Sequence, residues 1–230
     1  MSTNPLEISI PELTGNEKEY LIECINSNYV SSVGPYIERF EKSISNYIEL
    51  PSNCVTATNS ATSALHLGLL ALGVSKKDIV IIPNYTFIAT ANAVANSGAT
   101  PWLIDILSDS LTINAELLES ELEKNTYLSN GYRYHKLLHK RVYALIPVHI
   151  FGYAPDLDSL NNIVHKYNLN IICDAAGGLG STYKNNQLGK VIENGVISFN
   201  GNKIITCGGG GIFFSKNKYL VEKVKHLAST

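Results

Sequence analysis

The 230-residue chain has no run of eighteen consecutive apolar residues, and its opening MSTNPLEISIPEL contains neither a basic stretch nor an apolar core behind one. No export signal, membrane span or membrane partner is therefore expected. Charge of one sign is missing too, because 18 Lys and Arg face 20 Asp and Glu, for a formal charge of −2. Without a basic footprint no nucleic acid or anionic surface is expected as a partner, and small molecules or proteins are. Cysteine is scarce, and Cys24, Cys54, Cys173 and Cys207 form no CxxC pair. Three of them sit in apolar or glycine-rich surroundings, which suits reduced thiols and a cytoplasmic location. Internal repeats and low-complexity stretches are absent as well.

What is present is a composition 45% hydrophobic and 17% charged, which folds and makes one α/β domain the default. EKEYLIECINSN (17–28) and PYIERFEKSISNYI (35–48) space apolar residues three and four apart and predict surface helices, with Pro35 at a first helical position. Beyond them short apolar runs such as CVTAT, DIVIIP, TPWLID, NIICDAA, GVISF and GIFFS alternate with helical patterns. The runs are rich in Ile and Val and bounded by Pro, Gly, Asn or Asp, as strands buried on both faces should be. A βαβ architecture with a mostly parallel sheet follows. NTYLSNGYRYHKLLHK (125–140) reads as an exposed excursion before a strand. Its His135 and His139, four apart, read as an exposed basic helix face, since no Glu follows the first as in a zinc-binding H-E-x-x-H.

Ligands of open α/β sheets gather at the carboxyl ends of strands, and four places there carry chemistry. In TNSATSALHLGLLALG a strand runs into a helix that opens with Ser60, Thr62 and Ser63. Small hydroxyl residues at a helix N-terminus suit a phosphate, and plain Ser/Thr capping is the competing reading. In IIPNYTFIATANAV, Thr86 and Phe87 follow a strand and a proline, so Phe87 either stacks on a planar ligand or belongs to the core. NIICDAAGGLGS drives an apolar strand straight into Asp174, as a cap or a functional carboxylate. SFNGNKIITCGGGG places Lys203 between apolar runs, and alone it reads as a solvated loop lysine. CGGGG precedes a strand instead of opening a helix, which argues against a dinucleotide-binding domain.

Together, a phosphate cradle, an aromatic plate, a strand-end carboxylate and a lysine are the parts that hold pyridoxal 5'-phosphate. The carboxylate keeps the pyridine nitrogen protonated, and the lysine amine bonds the cofactor until a substrate amine displaces it. Glycines beside that lysine let backbone pass close to the cofactor.

The same residues make the chain resemble the DegT/StrS-type family of sugar aminotransferases, pyridoxal-phosphate enzymes of fold type I. The blocks GPYIERFEKSISNYI, ATNSATSALHLGLLALGV, PNYTFIATANAV, PVHIFGYAPDLDSL, DAAGGLGSTYKNNQLG and SFNGNKIITCGGGG occur in the family's order. The closest likeness is to members acting on nucleotide-linked 4-keto-6-deoxy sugars in routes to legionaminic-acid-like surface sugars. The resemblance implies a three-layer α/β/α large domain and transfer of an amino group, usually from glutamate, to the sugar's keto carbon. It implies that Lys203 is the cofactor-bonding lysine, Asp174 the partner of the ring nitrogen and Phe87 the stacking aromatic. Ala61, Thr62, Ser63 and Ser198 match phosphate-contacting positions.

At two points the chain departs from the family. Gly177 stands where members usually carry Glu, Gln or His, near the cofactor's ring hydroxyl. Members also continue past VEKVKHLAST into a smaller C-terminal domain that supplies a substrate-carboxylate site and, across a dimer, a further phosphate contact. Residues 1–230 are expected to be an N-terminal segment plus the cofactor-binding large domain, functioning as a homodimer or with a complementing C-terminal chain. Such a chain alone is expected to transaminate poorly or not at all. The alternative expectation is an inactive fragment that binds the cofactor or a partner chain.

Overall fold

The computed structural model describes residues 10–229. Two helices come first, α1 (Glu17–Asn26) and α2 (Pro35–Tyr47). An alternating stretch follows: β1 (Val55–Thr58), α3 (Ala61–Leu72), β2 (Asp78–Pro83), α4 (Ile88–Asn96), β3 (Thr100–Ile104) and α5 (Ala115–Asn125). The hairpin strands β4 (Thr126–Ser129) and β5 (Tyr132–His135) lead into β6 (Arg141–Leu145) and α6 (Leu157–Tyr167). Next are β7 (Asn170–Ile171), β8 (Cys173–Asp174), the small pair β9 (Thr182–Tyr183) and β10 (Asn186–Gln187), and α7 (Leu188–Val191). The described chain closes with β11 (Asn194–Ser198), β12 (Gly211–Ser215) and α8 (Lys218–Ser229).

Strand pairing gives the order β3-β2-β6 on one side, all parallel, with the antiparallel hairpin β5-β4 attached to the start of β6, and β8-β11-β12-β1 on the other. The halves meet where β7 and β8 are separated by Ile172 alone. There β7 pairs with β6 and β8 with β11, both parallel, and a bridge between Val148 and Asp174 closes the seam. In this run β12 is antiparallel to both neighbours, β11 and β1. The mostly parallel sheet read from the sequence is therefore observed. The carboxyl ends of β1, β2, β6, β8 and β11 lie along one edge, joined by the amino end of β12.

Helices cover both faces, which is why the strands read as unbroken apolar runs. One face packs Val80, Ile82, Ala144, Val196 and Phe213 against α3, α4 and α8 through Leu65, Leu69, Val94 and Val224. The other packs Ile79, Ile81, Val142, Ile197 and Phe214 against α2, α5 and α6 through Ile44, Leu118, Leu122 and Leu160. Adjacent residues of one strand thus serve different layers. By contrast α1 buries none of its residues, so its apolar positions hold it against no core.

Segment 125–140 corrects the sequence reading. It is mostly exposed and precedes β6, but it is a regular β-hairpin, with Thr126 opposite His135 and Ser129 opposite Tyr132, turning through Asn130 and Gly131 at positive φ. His135 ends a strand and His139 sits in a turn at φ 51, so the two share no helix face. The ring of Trp102 meets His135 edge-on at 4.9 Å, which uses the histidine as packing.

Candidate active site

The end of β11 and the start of α3 are brought together by register. Ser198 pairs with Gly211 across β11 and β12, and Gly211 pairs with Thr58 across β12 and β1. Two residues past Thr58, Ser60 caps α3 by accepting the Ser63 N–H at 3.1 Å. Capping is thus what Ser60 does. The first-turn N–H groups of Ala61 and Thr62 precede the intrahelical ladder and stay available to an anion, with the positive end of the helix dipole behind them. A Cβ on Gly211 would lie 2.3 Å from the Ser60 carbonyl carbon and 2.4 Å from the Ala61 nitrogen. Only glycine lets β12 start this close to the helix opening.

Asp174 ends β8 on the face covered by α3 and α4, and only 5% of it is exposed. Its Oδ2 accepts a 2.6 Å hydrogen bond from the Thr90 hydroxyl, and its Oδ1 accepts the Ala176 N–H at 3.1 Å. Burial pushes its pKa above the usual carboxylate range, while Thr90, the Ala176 N–H and the charge of Lys203 pull it back. No regular helix follows it, so the capping reading gives way to a buried carboxylate with the Lys203 charge in range.

Lys203 lies half-buried in the connection between β11 and β12. That loop folds on itself through Lys203 N–H to Asn200 O at 3.0 Å, Cys207 N–H to Phe199 O at 3.1 Å and Phe199 N–H to Gly210 O at 2.9 Å. Ser198 is buried where the loop begins, and its Oγ accepts the Asn200 N–H at 3.4 Å. Phe87 stands at the N-cap of α4 and is 75% exposed, which removes the core reading. Its neighbour Thr86 reaches the Thr90 hydroxyl at 2.8 Å, so the aromatic turn and the carboxylate belong to one hydrogen-bonded chain.

Two residues went unnoticed in the sequence. Thr90 is one. The other is His149, which is 2% exposed with neither ring nitrogen hydrogen-bonded, while its backbone N–H donates to the Asp174 carbonyl at 2.9 Å. Burial lowers its pKa to about 4, so the ring is neutral. At Gly177 a Cβ would lie 3.6 Å from the Gly152 nitrogen, an ordinary contact, so the missing side chain is not a steric requirement.

Comparison with known proteins decides what this edge belongs to. The model of the DegT/DnrJ/EryC1/StrS aminotransferase family matches residues 11–230. The chain belongs to that family. It is 36% identical over 222 residues to a GDP-perosamine synthase of Caulobacter vibrioides, covering 96% of this chain and 55% of that protein. It is 35% identical over 222 residues to the putative pyridoxal phosphate-dependent aminotransferase EpsN of Bacillus subtilis, covering 96% and 54%. The solved aminotransferase TlmJ from Streptoalloteichus hindustanus superposes with a TM-score of 0.85 at 25% identity, over 98% of this chain and 57% of that one. The chain thus spans about half the length of the curated relatives it matches.

Enzymes of the DegT/DnrJ/EryC1/StrS family depend on pyridoxal 5'-phosphate, and the residues here fit that group at both ends. At one end, the absence of a side chain at Gly211 lets β12 start against the turn whose Ala61 and Thr62 N–H groups open α3 toward an anion. At the other is a buried carboxylate that already accepts two hydrogen bonds, chemistry suited to a protonated ring nitrogen.

Proposed function

We propose that this chain carries the cofactor site of an aminotransferase that moves an amino group from glutamate to the keto carbon of a nucleotide-linked 4-keto-6-deoxy sugar. The product would enter surface-polysaccharide sugar biosynthesis. When bound, pyridoxal phosphate supplies an electron-withdrawing ring that stabilises negative charge at the carbon beside the substrate nitrogen. Asp174 would hold the proton on the ring nitrogen. Ala61, Thr62, Ser63 and Ser198 would hold the phosphate, Phe87 would lie against the ring, and the Lys203 amine would hold the cofactor and move the substrate proton. The observation that carries this reading is Asp174: a carboxylate only 5% exposed, kept hydrogen-bonded and within reach of the Lys203 charge.

Phe87, Ile88, Phe151, Tyr153 and Ile204, in the connections and at the opening of α4, leave an exposed apolar rim at this edge of the sheet. Such a rim supports cover by a further polypeptide, either a second copy or a complementing C-terminal chain. Sedimentation of the chain alone and with a supplied C-terminal half separates the two. Four unpaired thiols, at Cys24, Cys54, Cys173 and Cys207, support work in the reducing cytoplasm.

The test is glutamate-dependent amination of GDP- and UDP-linked 4-keto-6-deoxy sugars, followed as 2-oxoglutarate release by the chain alone and with a supplied C-terminal half. Turnover that disappears in Lys203→Ala supports the reading. Amination that persists in Lys203→Ala would refute it.

A further inference from the structure

Thr90 sits in the first turn of α4 with no exposure to solvent. Helical threonines commonly bond back to the carbonyl one turn earlier. Thr90 instead aims its hydroxyl out of its own helix, across 84 residues of sequence, to Asp174 Oδ2 at 2.6 Å. One turn before it, the Thr86 hydroxyl lies 2.8 Å from the Thr90 hydroxyl.

We propose that Thr90, with Thr86 behind it, is the positioning residue that holds Asp174 as a charged acceptor for a protonated ring nitrogen. The inference rests on the role proposed for Asp174 and adds two residues to it. Hydroxyl valence carries the argument. An ionised carboxylate can only accept, so Thr90 spends its single proton on Asp174, and Thr86 must then donate to Thr90. Both protons point at the charge. With Asp174 neutral and its proton on Oδ2, the oxygen that faces Thr90, the order reverses: Asp174 donates to Thr90, Thr90 to Thr86, and the half-buried Thr86 is left with solvent and a 3.4 Å contact to the Phe87 carbonyl. The first order ends on a charge-assisted bond, about twice as strong as a neutral one, and the second holds only neutral bonds. The pair therefore favours the charged carboxylate that burial opposes.

Other groups near Asp174 do not duplicate this. The Ala176 N–H bonds the other oxygen, the His149 N–H bonds the backbone carbonyl, the Cys173 thiol is raised by burial and by the carboxylate, and Lys203 acts through its charge. Because Thr86 precedes Phe87 directly, the same pair also ties the carboxylate to the turn that carries the aromatic.

Thr90→Val keeps the shape and removes the hydroxyl, and Thr90→Ser restores it. In the ligand-free chain, a carbon-13 titration of the Asp174 carboxyl should move to higher pH in Thr90→Val, less far in Thr86→Val, and remain near wild type in Thr90→Ser. Affinity for pyridoxal phosphate should fall about 2- to 5-fold in Thr90→Val, and no further than it falls in Asp174→Asn. In an Asp174→Asn background the same substitution should cost nothing further. An unchanged titration in Thr90→Val, or losses that add fully in the double variant, would overturn the proposal and leave Thr90 a packing residue. Should the wild-type chain bind no cofactor, the ring-nitrogen role falls with the proposed function, and the titration alone decides whether Thr90 governs the charge on Asp174.

Discussion

Asp174 is where the free energies conflict most sharply. Burial favours its neutral form, while two hydrogen bonds and Lys203 favour the charged one that the chemistry needs. Asp174→Asn keeps the shape and loses the charge. In the complete enzyme it should lower turnover about 100-fold or more while changing cofactor affinity much less, because the phosphate end is untouched. Kinetics beside an equilibrium titration with pyridoxal phosphate check this, and retained turnover would mean another group protonates the ring.

His149 gives the second prediction at this scale. Its folded pKa, about 4, lies below the value near 6.5 of an exposed histidine. The unfolded chain then binds a proton that the folded chain refuses, so the stability associated with neutral His149 is complete above about pH 6.5 and is lost as the pH falls toward 4. The loss should be on the order of 3 kcal/mol. Urea unfolding of wild type and His149→Gln between pH 7 and 4.5 reads it as the difference between the two chains. Asp174, with its raised pKa, works in the opposite direction in both proteins and cancels. Parallel pH profiles would mean that the ring has an acceptor or donor at hand.

At the scale of elements, the site depends on β12 starting against the opening turn of α3. Gly211→Ala would push a methyl group into backbone on the far side, 2.3 Å from the Ser60 carbonyl carbon. A destabilisation of about 1–3 kcal/mol is expected, with weaker binding of pyridoxal phosphate because the helix opening must shift. Gly209→Ala is the control, since its Cβ would meet only the Asn59 carbonyl at 3.8 Å. Equal unfolding midpoints and cofactor affinities for the two variants would contradict the close-approach argument.

Strands and helices were legible in the sequence wherever burial imposed a pattern. DIVIIP could hardly be anything but a strand covered on both faces, and ATSALHLGLLALG ends at Gly73, whose φ of 93 suits glycine. The hairpin of β4 and β5 carried one local mark, the Asn130-Gly131 turn between TYLS and YRYH, but both strands bury little and show no apolar alternation, so periodicity did not reveal it. Site residues divide the same way. Lys203, Asp174 and Phe87 stand at strand ends or in the turns that follow, where punctuation marks them. Thr90 is hidden in IATANAV, where it looks like any helix residue, and its partner comes from tertiary folding alone. Nothing in PVHIFGY says that both nitrogens of His149 will be stranded.

For the molecule as a whole, the candidate site is assembled from residues spread between Ser60 and Gly211, and no single segment contains it. It exists only when β1, β2, β8, β11 and β12 are in register, so a reagent that finds the site also reports the fold. The most direct measurement is to add pyridoxal phosphate to the folded chain, reduce with borohydride, and map the modified peptide by mass spectrometry. The expected result is a visible absorbance band that reduction removes, one pyridoxyl group on Lys203, and scattered labelling of several lysines after denaturation. A folded chain that develops no band, or that carries the label on another lysine while Lys203 stays free, would contradict the assignment of Lys203 as the cofactor-bonding residue.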